Sequence, residues 1–351
     1  MAIDNLIQSP SADFGVGIDL AKNVFAVHGV DEIGKAVLVK PKVPRDQLAD
    51  LIANLPPCLI GMEACSGAHH WARLFRQYGH TVKLMAPKFV TPYRMSGKRG
   101  KHDAADAAAI CEAVTRPSMR FVPIKEEHQQ IILCLHRTRQ GFVAERTAVY
   151  NRVRGLIAEF GIVLPQKVTH LRQDIGACLE DLPGYANQCI GDLLAHADQL
   201  DQRIDGYDRI IAQAARDDAR SKRLMHLPGI GPTTASALLA SIGGGHDFAN
   251  GRQVAAWIGL TPGQYSSGGK ARLGRITKAG DPYLRSLLVL GARAVLNSLG
   301  EKQDRFSRWA RSLQERRGYW RAVVAIAAKN ARLAWAVLHY GEDFRLMPSA
   351  D

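Results

Sequence analysis

"FGVGIDL", residues 14–20, is a short apolar run punctuated by glycine that ends on an acid, Asp19, and a leucine. Runs of this kind, bounded by Gly and polar residues, predict strands. "VFAVHGV" (24–30) and "AVLVK" (36–40) follow at close spacing, which predicts an antiparallel meander. "PRDQLADLIANL" then places Leu48, Leu51, Ile52 and Leu55 at helical spacing. "CLIGMEA" (58–64) predicts a buried strand. A helix over 68–78 and a strand at "TVKLMAP" (81–87) come next. Finally "GKRGKHDAADAAAIC" (97–111) leads a basic run into alanines, the best helix formers, so a helix starting near Lys101 or His102 is expected.

The order βββαβαβα is that of the RNase H-like nucleases and their phosphoryl-transfer relatives, so an α/β fold of that class is expected. Acids fall where such a fold uses them. Asp19 lies in the first strand, Glu63 ends the fourth, and Asp103 and Asp106 sit three residues apart on one face of the late helix. Like charges so placed repel unless a cation lies between them, and a hard, oxygen-seeking cation such as Mg²⁺ fits. Two such ions about 4 Å apart clamp the attacking and leaving oxygens of a phosphodiester. The basic lead-in, Lys98, Arg99 and Lys101, suits the phosphates. Singly, each acid reads as structural: a strand-end Asp, a Glu capping the next helix, an Asp favoured by the helix macrodipole. Four in order at fold-appropriate positions outweigh that.

The chain has 351 residues, 46% hydrophobic and 23% charged, in the range of soluble globular proteins with two or three domains. No apolar run approaches the roughly 18 residues of a membrane span, and the N-terminus lacks a signal peptide's apolar block. Six scattered cysteines without a CxxC pair exclude a zinc ribbon and give no reason to expect disulfides, so a reducing cytoplasm is expected. Net charge is +13, and thirteen Lys or Arg against four Asp or Glu fall between residues 263 and 321. A basic third with aromatics and glycine turns points to nucleic acid.

Residues 126–222 read as long helices. Leu193, Ala197, Leu200, Ile204, Tyr207, Ile211 and Ala214 alternate steps of four and three, about the length a coiled coil needs. Such a stripe packs on another helix of the same chain or forms a seam between subunits at Leu200 and Ile204. Arg137, Arg139, Arg146, Arg152 and Arg154 on the preceding helix are further phosphate candidates. "LPGIGPTTASALLASIG" (227–243) has the Gly-Ile-Gly turn of a helix-hairpin-helix, in which Gly229, Gly231 and Thr233 would meet a DNA phosphate. A bare structural hairpin is the alternative.

"WIGLTPGQYSSGGKARLGRITKAGDPYLRSLLVLGA" (257–292) sets Ser266 and Ser267 before two glycines, with Lys270, Arg272, Arg275, Lys278 and Arg285 around them. A hydroxyl among cations suits a nucleophile attacking phosphate, and equally a loop that only binds phosphate. The residues leave both open.

The chain resembles the DEDD transposases of the insertion sequence 110 family from Phe14 to about Tyr340. "GIDLAKN", "GMEACSG", "KHDAADA", "LPGIGPTTA" and "GLTPGQYSSGGKARLGRITKAGDPYLR", in that order, carry the resemblance. It implies a disordered extension (1–13), a RuvC-like domain (14–125), a helical coiled-coil region (126–222) and a mostly α C-terminal transposase domain (223–345). It further implies an acid set at Asp19, Glu63, Asp103 and Asp106 that binds magnesium. The catalytic serine of the family maps onto Ser267, with Ser266 a near rival because both positions are serine here. The resemblance implies that the two sites act together, through a covalent phosphoserine link to DNA, in recombining an element with its target. It implies a guide RNA and a homo-oligomer, dimer or tetramer. His102 departs from the small polar residue expected in its motif. The rival activities are a RuvC-type Holliday-junction resolvase, which has no use for the serine loop, and a non-catalytic nucleic-acid adaptor.

Overall fold

The computed structural model describes residues 14–94, 103–180, 182–266, 270 and 272–346. The expected extension 1–13, the helix start at Lys101 or His102, and Lys98, Arg99 and Ser267 lie outside the described residues. The chain divides into two compact units, one ending at Glu126 and one beginning at Glu127.

In the first unit the valine-rich runs form β1 (Gly15–Asp19), β2 (Val24–Val30) and β3 (Ala36–Pro44), an antiparallel meander. After α1 (Leu48–Ala53), β4 (Leu59–Glu63) returns parallel to β1, and after α2 (Ala68–Gln77), β5 (Thr81–Met85) returns parallel to β4. Parallel neighbours need such helical crossovers. α3 (Pro87–Val90) and a 3₁₀ turn lead to Arg94, and α4 (Asp103–Val114) lies across the sheet. β6 (Phe121–Val122) pairs antiparallel with β5, completing the order β3-β2-β1-β4-β5-β6. This mixed α/β sheet is consistent with the RNase H-like class, with α3, the 3₁₀ turn and β6 as additions to the expected order.

Alternation along the strands sorts the faces. Val16, Ile18, Ile60 and Met62 pack with Leu48 and Ile52 of α1 and Trp71 and Phe75 of α2. The opposite face carries Gly17 and Gly61, partners in the β1–β4 register, and α4 lies directly on them. A Cβ at Gly17 would stand 2.2 Å from the Ala107 carbonyl oxygen and 2.3 Å from the Cys111 nitrogen. One at Gly61 would stand 2.7 Å from Val114 Cβ. The Cys111 thiol donates to the Gly15 carbonyl at 3.3 Å. Gly15, Gly17 and Asp19 thus run one way while Cys111, Ala107 and Asp103 run the other, which brings the start of α4 to the end of β1.

The second unit begins with α5 (Glu127–Ala158), α6 (Val168–Glu180) and α7 (Tyr185–Asp217). α5 and α7 pack antiparallel: Arg139 pairs with Asp208 at 2.6 Å and, seven residues on, Arg146 pairs with Asp201. Phe142 meets Tyr207 between the two pairs. The stripe on α7 is spent inside this chain, where Ala197 and Leu200 pack with Val153 and Ile157 of α5 and Leu171 and Ile175 of α6. Leu200 and Ile204, 1% and 4% exposed, have little surface left for a second subunit. Replacing both with Asp is therefore expected to unfold the helical pair rather than part an assembly, because it buries unpaired charge. Circular dichroism would show lost helix and a lowered melting temperature. Dissociation with unchanged helicity would restore the subunit seam.

The rest of the unit is mostly helical: α8 (Ala219–Met225), α9 (Pro232–Ile242), α10 (Gly251–Trp257), α11 (Pro282–Asn297), α12 (Arg305–Arg317) and α13 (Tyr319–Tyr340). A small hairpin of β7 (Pro262–Gln264) and β8 (Leu273–Ile276) interrupts them. α13 is the central strut, with Ala322, Val323, Ile326, Ala327 and Ala331 buried. Its Asn330, fully buried, donates to the Pro228 carbonyl at 2.8 Å and so fastens the turn between α8 and α9. Among the described residues no helix is long and apolar enough to cross a membrane.

Candidate active site

Gly17 and Gly61 decide the geometry of the first site, because Asp19 and Glu63 lie two residues further along the same face of the same two strands. α4, seated on those glycines, adds Asp103 and Asp106 in its first turn. The four acids read from the sequence are therefore electrostatic neighbours. Burial pushes the Asp19 carboxyl up to about 6, and the charges of Asp106, Glu63 and Asp103 push the same way, against Arg94. Glu63 is raised by burial, lowered by Arg94 and raised again by Asp106.

Arg94 is the residue that the sequence did not single out. Its Nη2 donates to Glu63 Oε1 at 2.8 Å, and its Nε lies 2.9 Å from Asp106 Oδ1, too oblique for a hydrogen bond. Among the described residues no three His, Cys, Asp or Glu side chains are arranged to hold one metal ion as they stand. Glu63 and Asp106 are instead turned onto the guanidinium, a cation of the protein's own. Oxygen donors from two strand ends and one helix face, gathered around a positive charge, match the donor chemistry of magnesium. The only signal for Arg94 in the sequence was its place before the basic run, which singles out no one cation.

In the second unit the predicted Gly-Ile-Gly segment forms a tight turn between α8 and α9. Ile230 N–H donates to the Leu227 carbonyl at 3.0 Å, and Gly229 has φ 79°. The turn crosses α11 so closely that a Cβ on Gly291 would stand 1.9 Å from the Gly229 oxygen. Gly231 precedes α9 and is exposed, no side chain caps the helix, and Thr233 is half-buried in the first turn.

The β7–β8 hairpin carries the serine loop. Ser266 Oγ accepts from Gln264 Nε2 at 2.7 Å and from the Arg272 backbone N–H at 3.3 Å. Lys270, Arg272, Arg275 and Lys278 are exposed. Arg285 differs from them: its Nη1 donates to the Ile258 carbonyl at 2.9 Å and the Ala279 carbonyl at 3.0 Å, fastening the loop to α10. The arginines of α5 are also largely engaged, Arg139 and Arg146 with aspartates and Arg154 with the Pro165 and Gln166 carbonyls. A buried relay escaped the sequence as well. His136 joins Tyr283 OH and Ser236 Oγ at 2.9 Å each, linking α5 to α11 and α9. Burial, and then Arg139, push its imidazole down to about 4, so it is neutral at pH 7.

Comparison with known proteins agrees at both ends of the chain. A family model described as transposase, of the DEDD IS110 type, matches residues 16–162. A second, described as transposase IS116/IS110/IS902 family, matches residues 221–308. The chain is 47% identical to a probable family 20 transposase of Pseudomonas aeruginosa, over 92% of this chain and 96% of that protein. It is 39% identical to the transposase for insertion sequence element IS1328 of Yersinia enterocolitica, over 94% of this chain and 98% of that protein. It is 38% identical to the transposase for IS1111A of Coxiella burnetii, over 94% and 91%.

Proposed function

The chain belongs to the IS116/IS110/IS902 family of insertion-sequence transposases, and on that premise we propose that a magnesium-dependent acid site and a serine nucleophile carry its reaction. The observation that supports the acid half is that Glu63, Asp103 and Asp106 all act electrostatically on Asp19, with Arg94 paired to Glu63 and Asp106. Magnesium ions bound there supply Lewis-acid stabilisation of the phosphodiester in transit. Asp19 and Glu63 hold from the strand ends, and Asp103 and Asp106 from α4. Arg94, paired with Glu63 and Asp106, would lend its charge to a phosphate bound beside them.

The nucleophile we propose is Ser267. Ser266 has its oxygen engaged by two donors within the hairpin, which favours its neighbour for attack. The serine hydroxyl gives up its proton as its oxygen bonds to phosphorus, the bond to one sugar oxygen breaks, and that oxygen takes up a proton and leaves as a hydroxyl. Attack by a hydroxyl of the other DNA on the phosphoserine ester reverses the step and frees the serine. Lys270, Arg272, Arg275 and Lys278 offset charge on the phosphoryl oxygens. The exposed start of α9 at Gly231, with Gly229 and Thr233, receives a DNA phosphate in the helix-hairpin-helix manner. An element-encoded guide RNA pairs with both DNAs, and the protein works as a homo-oligomer.

The test is a covalent adduct. Protein incubated with Mg²⁺, guide RNA and labelled DNA, then denatured, is expected to retain label. Ser267→Ala abolishes the adduct, whereas Ser266→Ala weakens it at most. Label lost only in Ser266→Ala would exchange the two serines. Efficient cleavage with no adduct would give the chemistry to metal-activated water, as in a resolvase.

A further inference from the structure

Trp320, at the start of α13, is 65% exposed although it is the largest apolar side chain on its surface. A single exposed apolar side chain needs no explanation by itself, but an aromatic ring held in place among cations offers a surface on which a base can stack. Trp320 is held. The Arg293 guanidinium lies over its ring, 5.6 Å from the centroid. Tyr319 meets it edge-on at 5.2 Å and 82°, and the Tyr319 hydroxyl is tied to Asn297 Oδ1 at 3.3 Å. Arg293 and Asn297 are one turn apart on α11, so two helices fix one indole. With Arg293 over the ring and Tyr319 against it, 65% of the side chain is still exposed.

The charge around the ring selects the occupant. From Arg305 to Arg321 there are six arginines and one acid, Glu315. Arg316, Arg317 and Arg321 flank Trp320 in sequence, and all three are exposed. An apolar protein partner finds a poor match in such a field, whereas a polyanion whose units each carry an aromatic ring finds both of its needs met. Base pairs inside a duplex have no face to offer; unpaired bases do. We propose that Trp320, backed by Arg293 and Tyr319, is a stacking platform for an unpaired nucleobase, with Arg316, Arg317 and Arg321 holding the adjoining phosphates. The proposal rests on nucleic-acid binding by the chain and goes beyond it in naming the site and the single-stranded character of the ligand.

Binding of a labelled single-stranded oligonucleotide of about a dozen nucleotides, as DNA and as RNA, tests this against a duplex of the same sequence. Trp320→Ala is expected to weaken single-strand binding roughly tenfold, the scale of one lost base–aromatic stack, and to leave duplex affinity unchanged. Trp320→Phe, which keeps a smaller ring, is expected to retain most of the affinity. The tryptophan quenching that accompanies single-strand binding should be reduced in Trp320→Phe. Unchanged single-strand affinity in Trp320→Ala overturns the platform, as does an equal loss on single strand and duplex. A change of oligomeric mass in Trp320→Ala would assign this face to a second copy of the chain and overturn it too. Wild-type protein that binds neither probe removes the nucleic-acid premise itself, a different failure from the others.

Discussion

Asp19→Asn is expected to stabilise the fold at neutral pH while sharply lowering recombination. In the folded chain Asp19 titrates at about 6, against an ordinary 3.8. Between those values the native state holds a proton that the unfolded state has released, so stability falls as pH rises through this window. Above about 6 the full cost of a charged Asp19 beside Asp106, Glu63 and Asp103 is present; below about 4 it is gone. The asparagine variant therefore melts above wild type at pH 7 to 8, and the gap closes as pH drops to about 4. Partial exposure screens the effect, so its sign and pH window are the test rather than its size. Magnesium is expected to raise the melting temperature of wild type and not that of Asp19→Asn, since only a ligand that binds the native state stabilises it. Recombination should drop roughly a hundredfold or more, the scale for deleting one directly acting electrostatic group. Melting curves that track wild type at every pH would remove the repulsive cluster. Retained recombination would remove the acid site.

Gly17→Ala is expected to be among the most damaging single methyl additions in the chain. The new Cβ would lie 2.2 Å and 2.3 Å from main-chain atoms of α4, and main chain has no rotamer into which to retreat. α4 must lift off β1, which opens the contact at Gly61 beside it. Overpacking costs typically 1–3 kcal/mol, and a collision with backbone belongs at or above the top of that range, about 3 kcal/mol. The same shift carries Asp103 and Asp106 away from Asp19, so recombination should fall even where the protein stays folded. Gly155→Ala on α5 is the control, since nothing lies within 4 Å of that position and alanine favours helix. Urea titration should move the two variants in opposite directions. A Gly17→Ala protein as stable as wild type would contradict the seating of α4.

The succession of strands and helices and the placement of the four acids on them were legible because they depend on local pattern: alternation in "FGVGIDL", an apolar run closing on Glu63, alanines around Asp103 and Asp106. Packing partners were not. The α7 stripe has the same spacing whether Leu200 meets α5 or another subunit, and only the three-dimensional path of α6 and α5 decides. Arg94 and Arg285 look like any other surface cation until their partners are seen to be two carboxylates and two carbonyls. β6 has two residues, too few to show a period. The glycines of β1 and β4 sit inside predicted strands, where nothing in the sequence shows that their use is to let a helix come close.

The antiparallel pairs Arg139–Asp208 and Arg146–Asp201 also bear on the thermodynamics of DNA binding. Salt dependence counts phosphates neutralised: each contact that frees a condensed counterion contributes about −0.9 to the slope of log K against log salt. An arginine already neutralised by aspartate brings no net charge to a passing phosphate, so these two drop out of that count despite lying on a long basic helix. In the second unit the polyelectrolyte slope is therefore expected to draw on the exposed cations of the β7–β8 hairpin and of α11 through α13 rather than on Arg139 and Arg146. A formal charge of +13 misstates where the counterions leave.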